Sequence, residues 1–192
     1  HTRTAGAGRA AGAGAGLNVL GEVTGDGTSA GTTTLTGSTM NGTLNATGGA
    51  LNLVGNVTAT TAINNSLDAT IGAGQTITTG NYNNQGAILT FGGVIAGNLN
   101  NVGGGTINAA NGASVTGNVG VGAGLLSLAD GTAGDGMSIT GGLNGAGGTL
   151  AFDVAFSAGA GGAGTQADLI TASGAVTGNY GILIADVGPG LG

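Results

Sequence analysis

Residues 63–121, INNSLDATIGAGQTITTGNYNNQGAILTFGGVIAGNLNNVGGGTINAANGASVTGNVGV, decide the fold. Single apolar residues recur through the run: Ile63, Leu67, Ile71, Ile77, Tyr82, Leu89, Ile95, Leu99, Ile107, Val115 and Val119. Gly, Asn, Thr and Ala fill the intervals, and Asp68 is the only charge. No helical apolar stripe is present, and no apolar run approaches the ~20 residues of a membrane-spanning helix. Short β-pieces, closed by Gly/Asn corners and repeated at a near-constant interval, are what a β-solenoid requires. The expected fold class is therefore all-β.

The same rhythm begins at Leu17. Leu17, Val19 and Val23, then Leu35 and Leu44, then Leu51, Leu53 and Val57 alternate with polar residues, which sends neighbouring side chains to opposite faces of a strand. Gly, Asn or Asp closes each piece, and these residues tolerate the positive φ of a corner. Gly-Asn-apolar recurs at Gly55–Val57, Gly80–Tyr82, Gly97–Leu99, Gly117–Val119 and Gly178–Tyr180. The first four sites lie 25, 17 and 20 residues apart (55, 80, 97, 117), which predicts one coil per interval. A sandwich would need more inward side chains than one or two per strand to fill the ~10 Å between two sheets. Coils stacked ~4.8 Å apart turn those same residues into Leu/Ile/Val ladders, and Asn at like positions can ladder by hydrogen bonding. A chain of 192 residues accommodates about nine or ten such coils at roughly 20 residues each.

Composition agrees with a folded chain. Gly supplies 47 residues, which alone would suggest low complexity, but only 5% of residues are charged and solvation would not hold the chain open. The basic residues Arg3 and Arg9, with His1, sit at the start, and there is no Lys. All eight acids follow: Glu22, Asp26, Asp68, Asp130, Asp135, Asp153, Asp168 and Asp186. Binding of nucleic acid needs a basic surface, and so does attraction to anionic lipid; the body of this chain has neither. Absence of Cys removes disulfides, thiolate zinc sites and thiol catalysis. Residues 1–16, HTRTAGAGRAAGAGAG, are low complexity, read either as a flexible leader or as an arm laid against a neighbouring subunit. With no initiating Met and no signal-peptide pattern, His1 is expected to begin a mature or trimmed chain.

At Thr149 the texture changes. TLAFDVAF places Leu150, Phe152, Val154 and Phe156 in strict alternation, and a Gly/Ala loop (157–164) leads to ADLITASGAVTGNYGILIADVGPG. A β-hairpin-like cap that closes the open end of a solenoid would look like this. Three regions follow: a leader over 1–16, solenoid coils over 17–148 and a C-terminal cap over 149–192.

GNYNNQGAILTFGG and GNLNNVGGGTINAANGASVTGNV resemble the repeats of autotransporter passengers and related large bacterial adhesins. Residues 149–187 are similar to the stacked-hairpin autochaperone region that ends many such passengers, with Thr149, Leu150, Asp168, Leu169, Ile170, Ser173 and Gly174 in the same order. Together the resemblance spans roughly residues 51–187. It implies a right-handed parallel β-helix displayed on, or released from, the surface of a Gram-negative cell. The family's membrane-inserted barrel does not occur before Gly192, so it is expected to have been cleaved or lost.

Candidate chemistry is sparse. Lyase action on acidic sugars wants a Lys or Arg that the body lacks. Glycoside hydrolysis wants two carboxylates ~5–9.5 Å apart, and Asp130 with Asp135 in ADGTAGDG is the only close pair. Both read as turn residues beside Gly. No Gly-x-Ser-x-Gly elbow occurs, and His1 has no partner nearby in sequence. Gly25–Gly27 and Asp130–Asp135 resemble fragments of calcium repeats, but no nonapeptide recurs in tandem, so at most a weak calcium site at Asp130/Asp135 is expected and otherwise no cofactor. Thr32–Thr34, Thr58, Thr60, Thr76, Thr78 and Thr79 are read as solvent-facing β residues, with a flat ice- or glycan-binding Thr face as the alternative. The expectation is a non-enzymatic extracellular structural or adhesive rod, self-associating head to tail. Arg3, Arg9, Phe152, Phe156 and Asp168 are its candidate assembly contacts.

Overall fold

The computed structural model describes residues 9–12, 14, 16–156 and 165–188, and these fold into strands joined by turns, with no helix. The Ala/Gly leader, including Arg3, and the loop 157–164 lie largely or wholly outside the described residues.

The strands wind through nine coils. The first two hold β1 (Arg9–Ala11), β2 (Leu17–Thr24), β3 (Gly27–Ser29) and β4 (Thr33–Asn41). β5 (Thr43–Ala46), β6 (Leu51–Val54), β7 (Val57–Asn65), β8 (Ala69–Ile71) and β9 (Thr76–Gln85) carry the chain through the third and fourth. β10 (Ile88–Phe91), β11 (Val94–Val102), β12 (Thr106–Ala109) and β13 (Ala113–Val115) build the next two. β14 (Val119–Gly122), β15 (Leu125–Ser127) and β16 (Gly136–Ile139) form the seventh. β17 (Leu143–Ala155), β18 (Gln166–Ala167) and β19 (Leu169–Ala172) form the eighth, and β20 (Val176–Asp186) begins the ninth.

Three parallel faces result. Face A stacks β1, β3, β5, the second halves of β7, β9 and β11, then β14, the start of β17 and the start of β20. Face B stacks the first halves of β2 and β4, then β6, β8, β10, β12, β15, and the second halves of β17 and β20. Face C stacks the second halves of β2 and β4, the first halves of β7, β9 and β11, then β13, β16 and β19. The expected parallel β-helix is therefore what the chain forms.

Each face contributes an inward ladder. On face A, Leu44, Ile63, Tyr82, Leu99, Val119 and Leu143 stand one above another. On face C, Val57, Ile77, Ile95, Val115 and Ile139 do the same, and on face B Leu89, Ile107, Leu126 and Leu150. All are buried. Burying one such side chain contributes roughly 1.5–3 kcal/mol, and stacking lets a single residue per strand suffice.

Asparagine supplies the second ladder. Outside face A, Asn64 donates to Asn45 Oδ1 (2.7 Å), Asn83 to Asn64 (2.7 Å) and Asn100 to Asn83 (2.9 Å). Inside the A–B corner, buried Asn65, Asn84 and Asn101 donate to the carbonyls of Leu67, Ala87 and Gly105, fixing the bend in three successive coils.

The face A register gives coils of 19, 19, 17, 20, 24 and 33 residues, counted from Leu44 through Ile63, Tyr82, Leu99, Val119, Leu143 and Val176. One reading of the Gly-Asn-apolar motif needs correction. Gly80, Gly97 and Gly117 share the corner between faces C and A, but Gly55 precedes face C and Gly178 lies on β20 beyond face A's start. Their 25-residue first interval (55 to 80) therefore joins two different corners and is not a coil. The motif marks bends generally, because Gly-Asn tolerates any of them. At Gly97 glycine is obligatory: φ is +153° and a Cβ there would lie 1.6 Å from the Thr79 carbonyl oxygen.

Residues 149–188 continue the stack. β17 crosses position 149 without a break and pairs in parallel with β20 from Leu143↔Val176 to Val154↔Asp186. The hairpin-like element is short: Val154↔Ala167 and Ala155↔Gln166 form the antiparallel pairing between β17 and β18.

Candidate functional site

Two places gather the residues singled out above. The first is the corner between faces B and C in the seventh and eighth coils, where a long loop separates β15 from β16. Asp153 on β17 and Asp168 just before β19 are buried beneath it, at 1% and 7% exposure. Asp153 Oδ2 accepts the N–H groups of Asp130 (2.8 Å) and Gly131 (2.6 Å). Asp168 Oδ1 accepts those of Gly134 and Asp135 (both 3.0 Å), while its Oδ2 accepts the Asp153 N–H (2.7 Å). Five backbone donors thus satisfy the two buried carboxylates, as groups buried away from water require.

Asp130 and Asp135 sit on the loop those carboxylates hold. Asp130 Oδ1 accepts the Thr132 N–H (2.9 Å) in a tight turn. Asp135 is held above the ordinary carboxylate range, first by partial desolvation, then by the negative charge of Asp130 and Asp168, by its side-chain hydrogen bond with Asp130, and by Asp153. Among the described residues no three His, Cys, Asp or Glu side chains are placed to hold a metal ion. The chemistry visible here is structural: buried acids tie an exposed loop to the last coils.

The second place is the C-terminal end of the stack. β20 has a ladder partner, β17, on one side and none on the other among the described residues. Val176, Ile182 and Ile184 continue the inward ladders of Leu143, Leu150 and Phe152, yet they are 62%, 59% and 58% exposed because no further described coil covers them. Leu169, Leu183 and Phe156 are exposed as well, Leu183 on the opposite side of β20 from Ile182 and Ile184. Phe152 is half-buried against the core. Asp168 lies inside the fold, with its carboxylate engaged as described. Arg9 lies in β1, opposite Gly27, at the other end of the rod. The sequence reading missed Val176 and Ile182–Ile184; three consecutive apolar residues in Ile182–Leu183–Ile184 break the alternation and were the available signal.

Face C carries a regular outer surface. Position by position, Thr76, Val94, Ser114, Ser138 and Thr171 form one outward column. Thr39, Thr58, Thr78 and Ala96 form part of a second, two residues along each strand.

Compared with protein-family models, curated proteins and solved structures, the chain matches none.

Proposed function

We propose that this chain is a non-enzymatic structural or adhesive β-solenoid of a Gram-negative bacterial surface, and that copies associate end to end. The carrying observation is the apolar coil at β20, where Val176, Ile182 and Ile184 stand exposed on a strand edge that has no ladder partner among the described residues. Long unpaired edges template pairing with another chain, and large exposed apolar patches mark interaction sites. The partner is a second copy: β1 and β2 start the same three columns that β19 and β20 end, so a stacked copy continues every face. A heterologous contact of this kind does not close on itself and generates a filament. The surface location rests on the resemblance to autotransporter passengers, and the small number of charges suits a rod that offers proteases few sites.

Electron microscopy and sedimentation of the purified protein test this reading. Filaments or concentration-dependent oligomers are expected, and Ile182→Lys with Ile184→Lys is expected to disperse them. Monomers of the unsubstituted chain at high concentration would overturn it.

A second reading has its own observation. The Thr/Ser columns of face C, interrupted at Val94 and Ala96, are in register over successive coils, free of charge on that face between Val57 and Ser173, and spaced ~4.8 Å by ~6.7 Å as strand geometry dictates. Such an array suits ordered water or a crystalline polysaccharide. Thermal hysteresis measurements decide the ice-binding form of it: none at millimolar protein removes it.

A further inference from the structure

Consecutive coils are joined by ladders on all three faces except at one step. On face B, β4 pairs with β6 and β8 pairs with β10, but no ladder joins β6 to β8. Elsewhere among the described residues every step is paired. Backbone groups that do not reach a neighbouring strand must find other partners. One has done so: the Leu53 carbonyl accepts a hydrogen bond from Gln75 Nε2 (3.1 Å). Gln75 Oε1 in turn accepts the Gly72 N–H (2.6 Å), so the side chain is fixed at both ends in the place a strand partner would take.

A groove of about 380 Å³ opens at this break. Its outer walls are Asn52, Val54, Asp68, Thr70, Ile88 and Thr90. Val54 and Ile88 are about half exposed, and Asp68, Thr70 and Thr90 face solvent. Asp68 Oδ1 accepts the Ile88 N–H (3.0 Å), leaving the other oxygen available as an acceptor.

We propose that this groove binds a neutral carbohydrate chain laid across face B. Hydroxyl, amide and carboxylate groups alternating with two aliphatic side chains match a ligand whose rings have polar edges and apolar C–H faces. Three other ligand classes fit worse. An inserted peptide strand needs about 9.6 Å between its neighbours, twice the ordinary strand spacing, whereas Cα atoms of β6 and β8 approach within 8 Å. Anionic ligands meet Asp68 and no cation. A wholly apolar ligand would cover the second Asp68 oxygen and the Thr70 and Thr90 hydroxyls without hydrogen-bonding them. This site lies on the side of the rod, so it is independent of end-to-end assembly and its failure would leave that reading standing.

The test is an amide-resolved NMR titration of the full chain with maltotetraose, cellotetraose and N-acetylchitotetraose. At least one probe is expected to shift the amides of Asn52, Val54, Thr70 and Ile88 and to leave faces A and C unmoved. Replacing Asn52→Ala together with Thr70→Ala is expected to weaken that binding about tenfold or more, since two hydrogen bonds are lost. Both positions are exposed, and an unchanged urea midpoint would show that the variant is folded. Absence of shifts with all three probes, or shifts scattered over every face, would overturn the proposal. So would hydrogen exchange at Leu51 and Leu53 as slow as at Leu89, which would mean that the ladder closes in solution.

Discussion

The first and last coils among the described residues differ in how their apolar side chains are covered. Leu17, Val19 and Val23 in β2 are buried, at 6%, 3% and 8% exposure. In the last described coil, Val176 on face A and Ile182 and Ile184 on face B keep more than half of their surface in water. Part of the reason lies in Gly27. It stands opposite Leu44 in the face A ladder without a side chain, and Met40 Cε and Leu17 Cδ2 lie 3.0 and 3.7 Å from where its Cβ would be. The ladder tapers there and neighbouring side chains close over it. At β20, the last strand among the described residues, the columns still carry Val176, Ile182 and Ile184. A solenoid's stability is close to a sum of coil–coil interfaces, so the exposed apolar residues of β20 are an interface that no described coil uses.

The largest expected effect lies between these ends. Gly97→Ala places a methyl against the Thr79 carbonyl and is expected to cost about 3 kcal/mol or more. Leu99→Ala, in the middle of the face A ladder, is expected to cost about 2–5 kcal/mol in urea unfolding. Ile182→Ala in the last coil, an equally apolar truncation, is expected to stay within about 0.5 kcal/mol because that side chain is already in water. Equal costs at Leu99 and Ile182 would show that the last coil is covered in solution.

Next comes the acid-held loop. Asp168→Ala leaves three N–H groups without their acceptor and is expected to destabilise by about 1–3 kcal/mol, with hydrogen exchange rising first at Gly134 and Asp135. Uniform exchange across all coils would instead tie the loop to global unfolding. Asn83→Ala removes two bonds of the outer Asn ladder at a half-buried position, and about 1 kcal/mol is expected from equilibrium unfolding.

The smallest effect is on pH dependence. Asp135 has a raised pKa in the folded state, so its protonated form is favoured by folding. Its contribution is fully present below the unfolded-state value and is lost as pH rises through the higher folded-state value. Because Asp135 is only partly buried, a shallow fall in stability is expected there, and Asp135→Asn should flatten it. An unchanged slope in the variant would assign the pH dependence to other acids.

Much of this was readable from residue spacing. Ile63, Tyr82, Leu99 and Val119 announce a ladder because each strand offers one large apolar residue, and only stacking makes a core from that. The Asn pairs of NYNNQG and NLNNVG announce a hydrogen-bonded stripe for the same reason. The interruption between β6 and β8 was not readable, since LNLV and ATI look like any other piece of strand. Nor were the roles of Asp153 and Asp168: one sits in a strand pattern and the other beside a Leu-Ile pair, and their shared donors lie 15 to 34 residues away.

The sequence by itself determined that the chain is a charge-poor stack of short strands, because period and composition leave no other way to bury its apolar residues. Tertiary structure alone decided which coils touch, where one ladder is left open, and which apolar residues of the last described coil stand exposed. Those features depend on the register between coils, and register is set by coil lengths of 17 to 33 residues that local pattern does not encode.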